Sequence, residues 1–322
     1  MRAIMLYMAK CEYRIEEDTS TLPRALLVLA EPDEAIIEDY PADCVAAVAT
    51  VGTQTVGSAV LLQDHDTIEI INLAVDQAHR NGGIATTLLE RAISYAREKA
   101  VRRVVIRTAT ASTQQLLLYQ RVGFRFSEID HGYFARNYFH PLIENGVRCV
   151  DQVSLVFPLY RQEEQRQLTE SYWQDFVLRN PEHTGHAYKV WSFSGAPYTA
   201  NTLLNLTIQG SKTATSALKA VFTLQKHKQP QQGAISVVTY GDGYPGAILE
   251  TTAVETRPFN QVDEEHARLE GEGDLSLAYW REVHGTVFED QLARHGKSFS
   301  GKTPVVCERF RLLDVNRELG RM

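Results

Sequence analysis

Between Ile68 and Leu89 the chain reads IEIINLAVDQAHRNGGIATTLL. A hydrophobic strand runs through Asp76 into Arg80-Asn81-Gly82-Gly83-Ile84-Ala85 and then into a helix, where Ile84, Leu88, Leu89, Ala92, Ile93 and Ala96 share one face. Two glycines let the backbone turn tightly and expose its N–H groups. The unpaired amides and positive dipole of a helix N-terminus then favour a bound anion. The segment predicts a strand, an anion cradle and a helix in succession, and a pyrophosphate cofactor suits that cradle.

Downstream lies a short apolar strand, Val104-Val105-Ile106, followed by Ser112 as an N-cap and by the run from Gln114 to Phe124, in which Gly123 can end the helix in the left-handed conformation. In order and spacing the two segments resemble the GNAT family of acetyl-CoA-dependent N-acyltransferases. Arg80, Gly83 and Ala85 resemble its R/Q-x-x-G-x-G/A pyrophosphate loop, and Leu118, Tyr119, Gly123 and Phe124 its L-Y-x-x-x-G-F signature. The resemblance covers roughly residues 1 to 158, and Ser112 stands where many members carry Asn.

That resemblance implies acetyl-CoA as cofactor, with its pyrophosphate on the amides of Asn81, Gly82, Gly83, Ile84 and Ala85 and with Ser112 nearby. It also implies that the backbone of Leu73 and Val75 pairs with the pantetheine arm, and that Tyr119 presents its hydroxyl to the coenzyme A sulfur as general acid. The chemistry needs little more: an amine that loses a proton, a polarised thioester carbonyl and a stabilised thiolate. Glu69 is the better base on chemical grounds. Simple strand alternation puts Glu69 and Asn72 on opposite faces, so only one faces the substrate unless a bulge intervenes. The aromatic-rich excursion from Tyr133 to Asp151 is read as part of the acceptor wall. No feature names the acceptor amine.

A length of 322 residues predicts more than one domain. The net charge of -7 divides into about -5 over residues 1 to 160 and -2 over the rest, so nucleic-acid contact would require a local patch. Cys11, Cys44, Cys149 and Cys307 lie far apart without a C-x-x-C pair, which predicts reduced residues and no metal site. No apolar stretch of membrane-spanning length exists, and a cytoplasmic protein is expected. The stretch from Arg161 to Gln167 has no apolar residue, and residues 161–170 are read as a linker or an exposed helical start.

From Ser171 onward the pattern changes. Strands are predicted at 186–193, 234–240, 246–254 and 304–313, and helical patterns at 173–178, 199–209 and 275–288. Roughly residues 170 to 314 resemble the ASCH domain, a relative of the PUA-like RNA-binding barrels, and the domain is expected to span 171–322. The match rests on Trp191, on Gly210-Ser211-Lys212-Thr213-Ala214-Thr215-Ser216, on the run His266 to Asp274 and on Trp280, His284, Phe288 and Phe310. The whole chain is thus expected to be an α/β (α+β) GNAT domain followed by a PUA-like β-barrel with flanking helices.

The ASCH resemblance leaves two functions open. Small members include amidohydrolases acting on acetylcytidine, whose Lys, Thr and Glu correspond to Lys212, Thr215 and Glu270. A threonine hydroxyl becomes nucleophilic when a base takes its proton, and a buried lysine can serve as that base. Larger members with an E-G-E-G-D stretch, present here from Glu270 to Asp274, are associated with RNA binding or cleavage instead. Basic residues Lys189, Lys219, Lys226, Lys228 and Arg309 are spread among acids, which favours a nucleoside-sized ligand over long RNA. The alternative is a non-catalytic RNA-binding module unrelated to the acetyl acceptor.

Overall fold

The computed structural model of the protein describes residues 11–224 and 227–317, so Lys226 lies outside the described residues. The chain divides into two compact units: one up to Arg161 together with Ala196–Tyr198, and one of Gln162–Gly195 together with the residues from Thr199 onward.

The first unit contains β1 (Cys11–Glu16), α1 (Arg24–Leu27), α2 (Glu34–Glu38), β2 (Val45–Val51), β3 (Gln54–Asp64), β4 (Thr67–Val75) and α3 (Ile84–Glu98). It continues with β5 (Arg103–Ala109), α4 (Thr113–Val122), β6 (Arg125–Asp130), α5 (Tyr133–Asn137), β7 (Ile143–Glu144), β8 (Val147–Arg148) and β9 (Gln152–Pro158). Seven strands form one sheet in the order β1-β2-β3-β4-β5-β9-β6. All neighbours are antiparallel except β4 and β5, which are joined through the crossover helix α3. Alternation sorts the core: Ala47, Ala59, Leu61, Ile68 and Ile70 pack with Leu88, Leu89 and Ile93 of α3, whereas Ala46, Val48 and Val60 pack with Leu27 and Ile37 on the other face. The face of α3 expected from the sequence is the one buried.

The second unit holds α6 (Gln162–Arg179), β10 (Tyr188–Trp191), α7 (Pro197–Ile208), β11 (Ala214–Leu218), α8 (Lys219–Leu224), β12 (Ile235–Thr239), β13 (Pro245–Pro258), α9 (Glu264–Glu270), α10 (Leu277–Ala293) and β14 (Pro304–Val315). Residues 162–170 form the first turns of α6 rather than a separate linker. The helix buries Thr169, Tyr172, Trp173 and Phe176 at helical spacing, so its polar start is carried by the apolar stripe that follows.

The five strands pair in the order β10-β12-β13-β14-β11, an open sheet rather than the closed barrel expected from the sequence. β10 and β11 are its edges and do not pair with each other. Trp191 from β10, Phe310 from β14 and Leu204 and Ile208 of α7 share one apolar cluster on one face of this sheet. On the opposite face Val237 and Ile248 receive Trp173 and Phe176 of α6. A third cluster binds Trp280, Phe288 and Leu292 of α10 to Phe259, Leu218 and Val305. The strand β11 was not anticipated, because its sequence ATSAL is short and its polar residues disguise the alternation.

Gly271 closes α9 with φ +72°, and a Cβ there would collide with the Ser211 carbonyl oxygen. The left-handed conformation and the clash add. Gly271→Ala is expected to lower stability by about 2–4 kcal/mol. The three tryptophans, Trp173, Trp191 and Trp280, all lie in the second unit, so urea unfolding followed by tryptophan fluorescence reads this loss. An unchanged transition would contradict the close approach.

Candidate functional site

The cleft of the first unit begins where two strands part. β4 pairs with β5 only as far as Ile70 opposite Ile106, although β4 runs on to Val75 and β5 to Ala109. The backbone beyond Ile70 is thereby open toward a cavity of about 450 Å³, lined by Ile70–Val75, Ile106–Thr108, Leu118 and Tyr119. Its far wall is the turn into α3. Asp76 accepts from the Ala78 amide at 3.0 Å and meets His79 Nδ1 at 2.9 Å, and Arg80 Nε donates to the Val75 carbonyl at 3.1 Å. Asn81 and Gly83 both take left-handed conformations, φ 63° and 81°. A Cβ on Gly83 would meet no atom within 4 Å, so a side chain there would project into open space. Arg80, Asn81, Gly83, Ile84 and Ala85 line the cavity; Gly82 belongs to the turn without lining it.

β4 carries one extra residue relative to β3. Leu61 pairs with Ile70 and Val60 with Asn72, which leaves Ile71 as a bulge. The bulge overturns simple alternation, since Ile70 joins the α3 core while Ile71 and Asn72 both turn to the face of α1 and Tyr40. Glu69 precedes Ile70 on that same face, so Glu69 and Asn72 are not on opposite faces. They still do different work. The Asn72 amide is buried and donates to the Leu27 carbonyl at 3.0 Å and to Tyr40 Oη at 3.2 Å, which leaves its Oδ1 without a donor. Glu69 forms an ion pair with Arg107.

A second, larger cavity of about 1240 Å³ adjoins the first, and the two share Ile70, Ile71, Arg107, Thr108 and Glu144. Tyr133, Phe134, Tyr138, Leu142 and Ile143, from the aromatic excursion, form part of its wall together with Glu69. The excursion folds as α5 and the β7–β8 hairpin, whose turn is Asn145-Gly146 with φ 51° and 75°. The hairpin brings in Glu144, a residue not singled out in the sequence, to line both cavities. An Asn-Gly dipeptide between Ile143 and Val147 is the sequence signal that points to it.

Tyr119 is buried in α4, and burial, reinforced by the Glu144 charge, raises its phenol well above the ordinary value near 10. It therefore stays a neutral hydroxyl at any pH near 7. Ser112 takes a different place from the one expected. Fully buried, its Oγ donates to Glu144, it makes no side-chain cap bond to α4, and it does not line the cavity. Glu144 takes the hydroxyl because the hairpin lays it against the start of that helix.

In the second unit Lys212 and Glu270 converge, each 1% exposed. Lys212 Nζ donates to Glu270 Oε2 at 3.0 Å, to the Glu270 carbonyl at 3.2 Å and to Glu272 Oε1 at 2.7 Å. Trp280 Nε1 donates to Glu270 Oε1 at 2.7 Å, and the Trp280 ring stacks on His284 at 4.5 Å. Burial alone would raise the Glu270 carboxyl, but Lys212, His266 and His284 hold it far below the usual carboxylate range. Thr215 sits on β11 one residue from Ser216, whose hydroxyl meets His266 Nε2 at 2.9 Å, so strand alternation turns Thr215 to the face opposite Ser216. Burial pushes His266 down, yet its bonds to Cys307 and Glu270 prevail and bring it up to about 9.

Two outcomes follow for this cluster. Lys212→Met leaves the buried Glu270 carboxylate and the half-buried Glu272 without their cation, and a loss of about 3–5 kcal/mol is expected in the tryptophan-monitored transition. A loss below about 1 kcal/mol would mean that the pair is not buried in solution. The folded His266 pKa of about 9 exceeds its ordinary 6.5, so its contribution is complete below pH 6.5 and is lost as pH rises through 9. The same transition should move to lower urea by the equivalent of about 1–3 kcal/mol over that window, and His266→Gln should flatten the dependence.

The acetyltransferase (GNAT) family model matches residues 10–124, and the ASCH domain model matches residues 189–314. The uncharacterized N-acetyltransferase YvbK of Bacillus subtilis is 35% identical over 153 residues, spanning 47% of this chain and 99% of the relative. A GNAT family acetyltransferase from Elizabethkingia anophelis, solved with acetyl-CoA bound, is 35% identical over 46% of this chain and 98% of its own, with a TM-score of 0.44. An ASCH domain structure from Lactobacillus crispatus is 30% identical over 45% of this chain and 94% of its own, with a TM-score of 0.43. With its parted strands, its glycine turn before α3 and these relatives, the chain belongs to the GNAT family of acetyltransferases and carries a C-terminal ASCH domain.

Proposed function

We propose that the first unit transfers the acetyl group of acetyl-CoA to an amine that enters through the larger cavity. The observation that carries this reading is the parting of β4 from β5 after Ile70, directly before the left-handed turn at Asn81 and Gly83. Free backbone groups of Leu73 and Val75 suit the amides of the pantetheine arm, as an added strand would. The amides from Asn81 to Ala85 suit the pyrophosphate at the start of α3. Tyr119 reaches the same cavity from the other side and donates a hydrogen bond to the departing thiolate. Its raised pKa makes it a stabilising donor that keeps its proton until the sulfur needs it.

For the proton released by the amine we assign Glu144 rather than Glu69. Glu69 is neutralised by Arg107, whereas Glu144 borders both cavities, accepts the Ser112 hydroxyl and has no cationic partner among the described residues. The amine nitrogen attacks the thioester carbon, the C–S bond breaks, and the proton passes to the carboxylate while sulfur leaves as the thiol.

For the ASCH unit we favour a binding module for the nucleoside or RNA ligand that its resemblance implies. A lysine held by three oxygens is not a base for a threonine on the other face of a strand.

Gly83→Glu places a side chain and a negative charge in the cradle, and acetyl-CoA affinity measured calorimetrically should fall by roughly 10²-fold or more. Unchanged affinity would defeat the loop assignment. Tyr119→Phe and Glu144→Gln should each lower kcat by roughly 10²-fold with acetyl-CoA affinity retained, while Glu69→Gln has the smaller effect. A larger loss for Glu69→Gln would reverse the assignment of the base. Wild-type protein is expected not to deacetylate acetylcytidine; turnover that disappears in Thr215→Val would restore the amidohydrolase reading.

A further inference from the structure

The larger cavity also constrains the amine. Its volume of about 1240 Å³ exceeds what one small amine fills. Six carboxylates line it, from Glu31, Asp39, Glu69, Glu128, Asp130 and Glu144, against the single guanidinium of Arg107. Two of the six are compensated, Glu69 by Arg107 and Asp130 by Arg136. Among the described residues the other four have no cationic partner. Glu31 is instead fixed in place by acceptor bonds, from Tyr138 Oη at 2.7 Å and from the Asp33 amide at 2.9 Å. Burial and this carboxylate together raise the Tyr138 phenol, so its donor proton stays where it orients Glu31.

A second, neutral observation lies in the adjoining cleft. The Oδ1 of Asn72, a residue 3% exposed that lines the acetyl-CoA cleft, has no hydrogen-bond donor, because the amide nitrogen is taken by Leu27 and Tyr40. A buried acceptor in this state can take an N–H from a ligand. The larger cavity therefore favours positive charge, and the cleft beside it offers an acceptor without a donor.

We propose that the acceptor is a small organic polycation, a molecule with the primary amine to be acetylated and at least one further ammonium held by the uncompensated carboxylates of the larger cavity. This rests on the acetyl-transfer reading above and adds the substrate class. Glu144 takes the proton of the reacting amine; Glu31, Asp39 and Glu128 hold the second charge. The balance is that of any amide formation from a thioester: the C–N bond forms, the C–S bond breaks, and the ammonium substrate yields an amide, coenzyme A thiol and one proton. Acetylation removes one charge from the product, which weakens its hold on the acidic wall and favours release.

Three amines with the same four-carbon chain test the claim with the full-length protein and acetyl-CoA: 1,4-diaminobutane, 1-aminobutane and 4-aminobutanoate. Only the far end differs, being cationic, apolar and anionic. Thiol release should give kcat/KM in that order, with roughly tenfold or more between diamine and amino acid, and the diamine's advantage should shrink with added salt. In the double variant Asp39→Asn, Glu128→Gln the KM for the diamine should rise roughly tenfold, while kcat and the KM for 1-aminobutane stay within about twofold. Equal or better use of the amino acid, absence of turnover with all three amines, or an unmoved diamine KM in the double variant would each overturn the proposal. Calorimetric binding of acetyl-CoA separates the two levels. Its failure would sink the acetyl-transfer reading itself, whereas binding together with any of the preceding results sinks the polycation alone.

Discussion

The first unit depends on a hydrogen-bond ladder that stops. β4 and β5 are the one parallel pair of their sheet, and their pairing ends at Ile70 and Ile106 while both strands continue. A parallel pair left open in a sheet interior exposes N–H and C=O groups that must find partners. Here they face a cavity that an amide-bearing ligand can fill. The extra residue at Ile71 lies at this point, where it turns Asn72 to the face of Glu69 and ends the regular alternation. Bulge, parted strands and glycine turn together open a cleft in the sheet interior that ends at the first turn of α3.

A different constraint organises the second unit. Two nearly inaccessible charges, Lys212 and Glu270, are tolerable only because every polar atom around them is engaged, by Glu272, Trp280, His266 and the Glu270 carbonyl. Such a network gains little over an apolar core but penalises removal of any one member. It ties α9 and α10 to the start of β11, and Gly271 permits the close approach of the two segments. The Lys212 ammonium is directed at three oxygens, two of Glu270 and one of Glu272.

Much of the first unit was legible in order along the chain. The glycine turn before α3, the buried face of that helix and the Gly123 end of α4 all follow from local rules, namely glycine at left-handed positions and apolar residues at helical spacing. Glu144 was not legible, because its role depends on a hairpin laid across the start of α4, a contact of more than thirty residues' separation in sequence. Ser112 holds the N-cap position that a serine ahead of a helix signals, but its hydroxyl makes no cap bond and goes instead to a carboxylate from that hairpin, which local rules do not show. The opposite faces assigned to Glu69 and Asn72 failed because a bulge leaves no mark in the residue types around it. Of the two readings open for 161–170, a linker or an exposed helical start, the structure has the helical start from Gln162, and its apolar stripe becomes visible only near Thr169.

What the sequence by itself determined is the set of local conformations and the families they belong to: a strand, a glycine turn and a helix in one half, an ordered set of glycine, lysine, tryptophan and histidine positions in the other. Periodicity and turn chemistry act over a few residues, so they can be read without knowing what lies beside them. The tertiary structure alone decided which charges meet. It paired Glu69 with Arg107, buried Lys212 among oxygens, set around one cavity four carboxylates that have no cationic partner among the described residues, and left the second sheet open. Electrostatics and burial depend on distance through space, and that distance is fixed only when strands far apart in the chain have found their register.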